Sequence, residues 1–109
     1  MATDSDNRIR IDELRKTCEQ IAKEGGKVLA LVGVAGTTET GHIDPLDDMA
    51  TVAEEVDAHF HVDAAWGGAT LLSEQHRPLL AGIERADSVT IDAHKQMYVP
   101  MGAGLVLFK

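Results

Sequence analysis

The run Lys27–Val34, KVLALVGV, constrains the fold more than any other stretch. It is almost unbroken in apolar residues, which is the pattern of a strand buried on both faces in a parallel sheet. A parallel sheet needs a crossover before its next strand. The sequence supplies one. Asp44-Pro45 opens a helix, with Asp44 as N-cap and Pro45 at the first helical position. Leu46, Met49, Ala50, Ala53 and Val56 fall on one apolar face, and Asp47, Asp48, Glu54 and Glu55 on the solvated one. Phe60–Ala64 follows as the second strand and Ser88–Asp92 as the third. Ala103–Phe108 is the fourth, reached by a loop of about ten residues that is too short for a crossover helix, so it should run antiparallel. The expected fold is α/β, a mixed, mostly parallel sheet flanked by helices. Upstream, a helix from Ile11, with Asp12 near its N-cap, turns Leu14, Cys18, Ile21 and Ala22 inward and stops at Gly25-Gly26. Residues 1–8 read as a polar lead-in, disordered or extended. Between 70 and 82 the pattern is irregular, with Pro78 opening a short helix.

In an open α/β sheet, ligands bind beyond the carboxyl ends of the parallel strands. That edge receives Gly36-Thr37-Thr38, Asp63-Ala64-Ala65 and His94-Lys95. A lysine just past a buried strand can be desolvated and lose its proton more readily, the state a Schiff-base lysine requires. A carboxylate at the end of a neighbouring strand could hold a flat, protonated ring from the other side. Pyridoxal phosphate asks for that pair, a lysine for its aldehyde and an acid for its ring nitrogen. Blander readings stand beside these: Lys95 as a surface lysine, Asp63 as a turn cap, Thr38 as a loop hydroxyl bonded to backbone, Ala65 as small because its turn is crowded. His59, His61 and Asp63 alternate along one strand in a spacing also seen at zinc sites. No further histidine or acid cluster completes such a set, so no metal is expected.

Three ordered motifs carry a resemblance: GTTETGHIDPL at Gly36–Leu46, HVDAAWGG at His61–Gly68, and ADSVTIDAHKQ at Ala86–Gln96. The chain resembles the pyridoxal-phosphate-dependent group II amino-acid decarboxylases, which include glutamate, aspartate and aromatic-amino-acid decarboxylases. The likeness is co-linear from about Ile11 onward, so residues 1–109 are expected to be the central part of the large, cofactor-binding domain of a fold-type I enzyme. The N- and C-terminal parts would lie elsewhere, and the fragment alone would be inactive and prone to self-association. By position, the resemblance implies that Lys95 holds the cofactor as an internal aldimine. Asp63 would keep the pyridine nitrogen protonated, Ala65 would lie against the ring, Thr38 would approach the ring or its 3-oxygen, and His94 would help hold the phosphate. The implied reaction is loss of carbon dioxide from an L-amino acid. The HKQ and PMG combination, at His94–Gln96 and Pro100–Gly102, points to an acidic substrate, aspartate or glutamate. Two features depart from the common pattern: Gln96 stands where many members carry an aromatic residue or methionine, and Trp66 where tyrosine is frequent. Alternatives are another fold-type I chemistry, such as transamination or a lyase reaction, or a non-catalytic interaction segment.

Charge and cysteine usage narrow the partners. A net charge of −8 leaves no basic stripe for nucleic acid or for anionic membrane surfaces. No apolar run approaches the roughly 20 residues that span a bilayer, and MATDSDNRIR has no signal-peptide core. The single cysteine, Cys18, reads as a small core residue, and the lack of a possible internal disulfide fits a reducing cytoplasm. The expected partner is a small amino-acid substrate, in a parent enzyme that is a homodimer.

Overall fold

The computed structural model describes residues 1–100 and 102–109; Met101, part of the PMG combination, lies outside them. The chain forms helix α1 (Ile11–Lys23), strand β1 (Ala30–Val34), helix α2 (Leu46–Glu55), strand β2 (His59–Asp63), three short 3-10 turns between 67 and 85, and strands β3 (Ser88–Asp92) and β4 (Gly104–Phe108). The sheet order is β1-β2-β3-β4. The first three strands are parallel and β4 is antiparallel to β3, with Asp92 opposite Gly104. The mixed sheet expected from the sequence is the one formed. Pro78 does sit at the start of a 3-10 turn, Arg77–Leu80.

The core lies between α1, α2 and one face of the sheet. Leu14 and Cys18 of α1, Leu46, Met49, Val52 and Ala53 of α2, and Leu31, Phe60 and Val62 of the strands form one buried cluster. Burial also pushes the Cys18 thiol up from its ordinary pKa, which makes it a packing residue rather than a nucleophile. Helix α2 comes close to β1 because residue 33 is glycine. A Cβ there would lie 2.9 Å from Leu46 Cδ2 and 3.3 Å from Met49 Sδ. The connection between β2 and β3 is tied to α2 by Arg85, whose guanidinium reaches Asp47 at 2.7 Å and Glu54 at 2.9 Å. Arg15 pairs with Glu55. The acidic face of α2 is therefore partly engaged rather than wholly solvated.

Three expectations are corrected. The apolar run through β1 is buried on one face only: Leu31 and Gly33 are covered while Val32 is 54% exposed. On that open face stand Val32, His61 and Val106, and no helix of the described residues covers it. The lead-in is folded rather than loose. Asp4 accepts from the backbone N–H groups of Asp6 and Arg8 and from the Arg8 guanidinium, and Thr3 bridges Ile9. Finally, Asp44 does not cap α2, whose N-cap is Pro45 without a side-chain bond. Its two carboxylate oxygens accept instead from Ile9 N at 2.8 Å and Val34 N at 2.9 Å, joining the lead-in to the end of β1. The helix gives up a cap, and the strand end gains an anchor.

Hydrogen bonds to a charged acceptor contribute about 1.5–3 kcal/mol each. Asp44→Ala, which removes two such bonds, should therefore lower unfolding free energy by about 3–6 kcal/mol in urea titrations, whereas Asp48→Ala, on the exposed side of α2, should cost less than about 1 kcal/mol.

Candidate active site

Parallel pairing does not stop at the last residue of each strand. Ala35 N donates to Asp63 O at 2.8 Å, and Ala64 N donates to Thr90 O at 2.9 Å. The chain segments leaving β1, β2 and β3 consequently start side by side. They are then tied again one turn further out, by Gly67 N to Ala35 O at 3.0 Å and Asp92 N to Ala65 O at 3.3 Å. Gly67 is required for the first of these ties, because a Cβ there would lie 2.1 Å from Ala35 O.

These segments enclose a recess of about 200 Å³ lined by Val34, Gly36, Thr37, Thr38, Glu39, Asp63, Ala65, Trp66 and Lys95. Four of the five residues singled out from the sequence, Lys95, Asp63, Ala65 and Thr38, meet there. Its volume is below the roughly 300–1,000 Å³ of ordinary small-molecule pockets, so these residues form one wall of a site. Asp63 Oδ1 accepts from Ala65 N at 3.0 Å, which fixes the carboxylate over its own turn. Thr37, not Thr38, holds the loop: its hydroxyl pairs with that of Thr40 at 2.7 Å and accepts from His42 N at 3.2 Å. The Thr38 hydroxyl makes no such bond among the described residues.

His94 lies outside the recess lining. Its Nδ1 donates to Ala103 O at 3.1 Å, on the loop into β4, and its Nε2 faces Asp92 at 3.9 Å. Asp92 also meets Lys95 directly, Nζ to Oδ2 at 3.0 Å, and the two side chains are only 28% and 21% exposed. Sequence reasoning treated Lys95 as a desolvated amine and missed this partner. The i, i+3 spacing of Asp92 and Lys95 across a turn was the available signal. Glu39 and Trp66 are further lining residues that no motif logic selected. His59 and His61 do not converge with Asp63. Both imidazoles turn to Ser88 Oγ, at 2.7 and 2.8 Å.

A primary amine and a carboxylate held at a fixed angle, with a small side chain and a hydroxyl beside them, are the groups that the aldehyde and ring of pyridoxal phosphate require, so this wall of the site fits that part of the cofactor. Fold and recess together define a class: an α/β domain with a lysine and an acid on the carboxyl rim of a mostly parallel sheet. The family described as the pyridoxal-dependent decarboxylase conserved domain matches residues 1–109, and the chain belongs to it. Among its relatives is the aspartate 1-decarboxylase of Aliivibrio fischeri, 63% identical over 107 residues, covering 98% of this chain and 20% of that protein. The L-2,4-diaminobutyrate decarboxylase of Rhizobium meliloti is 40% identical over 109 residues, covering 100% of this chain and 22% of that protein. The crystal structure of mouse CSAD in apo form superposes with a TM-score of 0.94 at 39% identity, over 97% of this chain and 22% of that one. The chain thus spans about a fifth of the length of the curated relatives it matches.

Gly67→Ala should force the Ala35 and Trp66 segments apart. Overpacking against backbone costs about 1–3 kcal/mol, so the urea midpoint should fall accordingly, and a variant as stable as the parent would show that the tie is dispensable.

Proposed function

We propose that the protein to which this chain belongs is a pyridoxal-phosphate-dependent decarboxylase of an acidic L-amino acid, with aspartate the first candidate. The observation that carries the proposal is the meeting of Lys95, Asp63, Ala65 and Thr38 in one recess. The 63% identity to an aspartate 1-decarboxylase supports the choice of substrate. When bound, pyridoxal phosphate supplies an aldehyde for amines and a protonated ring that takes up the electron pair left as carbon dioxide departs.

The chain's own residues have distinct tasks in this reading. Lys95 would offer the amine that holds the cofactor's aldehyde. Asp63, with one oxygen occupied by Ala65 N, presents the other as an acceptor that keeps a proton on the ring nitrogen. Ala65 leaves room for a planar group where a longer side chain would intrude. Thr38 contributes a hydroxyl that the loop does not consume. His94, held through Nδ1 to Ala103 O outside the recess, would help hold the phosphate only as the family resemblance implies. Asp92 pairs with the Lys95 ammonium and would have to release it for the amine to hold the cofactor. A cytoplasmic, homodimeric enzyme belongs to the same reading, as the family resemblance implies.

Release of carbon dioxide from a panel of L-amino acids by the whole protein to which this chain belongs tests the proposal. Aspartate should give the highest kcat/KM. Asp63→Ala should lower kcat by at least about a thousandfold, as expected for loss of a charge-stabilising partner in the transition state. No release from any acidic amino acid would overturn the reading.

A further inference from the structure

Trp66, the only tryptophan of the chain, touches all three rim segments. It belongs to the segment that carries Asp63 and Ala65. Its Cδ1 edge lies against Gly36 of the first segment, where a Cβ would come within 3.4 Å of it. On the third segment it meets Gln96, the residue after Lys95. With the Gln96 amide oriented to satisfy both groups, the indole Nε1–H donates to its oxygen at 3.1 Å and its nitrogen donates to Trp66 O at 3.2 Å. One amide thereby matches one donor and one acceptor of a single residue.

The Lys95 segment is tied mainly to the β4 side and to itself: Ala93 N donates to Ala103 O at 3.0 Å, Val99 N donates to Ala93 O at 3.2 Å, and Lys95 Nζ meets Asp92 at 3.0 Å. The backbone bond that joins it to the Asp63 segment beyond the strands, Asp92 N to Ala65 O, is long at 3.3 Å. Gln96 is itself exposed, so it adds little to the core. A two-point contact made by an exposed side chain, at the joint between the lysine and aspartate segments, fixes relative position more than it fixes stability. We propose that Gln96 is a positioning residue: by clamping Trp66 it holds the Lys95 segment in register with Asp63, and so sets the geometry in which the recess takes its cofactor. The inference rests on the cofactor reading above. It adds a residue pair that acts through Lys95 and Asp63 without touching the reacting atoms.

The test compares the parent protein with Gln96→Met, nearly the same size but without either hydrogen bond, and with Gln96→Glu, which keeps an acceptor for the indole. Fluorescence, with a Trp66→Phe protein as the background, reports the contact, pyridoxal phosphate affinity comes from absorbance titration, and the urea midpoint controls for folding. Gln96→Met should weaken cofactor binding roughly 3- to 30-fold, as when the binding-competent arrangement falls to about a third to a thirtieth of the population. It should also increase acrylamide quenching of Trp66 and leave the urea midpoint in place. Gln96→Glu should recover much of the protection from quenching. Unchanged affinity in Gln96→Met would overturn the inference, as would a loss of affinity matched by a loss of stability. A parent protein that takes up no pyridoxal phosphate would instead sink the cofactor reading, and the role assigned to Gln96 with it.

Discussion

The structure depends on parallel hydrogen bonding that continues past the strands. Each backbone N–H must be paired or solvated, and at the carboxyl ends of β1 and β2 the pairing simply runs on, Ala35 to Asp63 and Ala64 to Thr90. Segments that leave the sheet in this way cannot splay. They carry Thr38, Asp63 and Lys95 to one recess although these residues lie far apart along the chain. The chemistry of the rim is thus a consequence of strand direction: had β3 run antiparallel to β2, Lys95 would emerge at the opposite end of the sheet.

Small residues make this convergence sterically possible. Gly67 lets its segment rest on Ala35 O, Gly33 lets α2 settle on β1, and Ala65 keeps the recess open. Polar side chains then do what backbone cannot. Asp44 anchors the end of β1, Arg85 ties the second connection to α2, and Asp92 receives the Lys95 amine. Several acids that a local reading assigns to helix caps or to solvent are long-range ties. They hold the scaffold on which the recess is built.

Much of this was legible in the sequence, for identifiable reasons. Strand direction followed from connection length, because a loop of about ten residues cannot hold a crossover helix. The positions of Asp63 and Lys95 followed from where apolar runs ended. What escaped was set by tertiary context. Asp44 before Pro45 has the signature of an N-cap, yet its oxygens find Ile9 and Val34, partners remote in sequence. The apolar run in β1 suggested two covered faces, while α2 and α1 stack on the same side and cover one. Asp92 and Gln96 were visible as letters in a motif. Their partners, Lys95 across a turn and Trp66 on another segment, depend on side-chain placement that no periodicity encodes.

The most direct measurement is the site of covalent attachment. The whole protein to which this chain belongs is incubated with pyridoxal phosphate, reduced with borohydride, digested and mapped by mass spectrometry. The account predicts one phosphopyridoxyl group per chain, on Lys95, in preference to Lys16, Lys23, Lys27 and Lys109. Labelling spread over the exposed lysines, or concentrated on any of them with Lys95 unmodified, would contradict it.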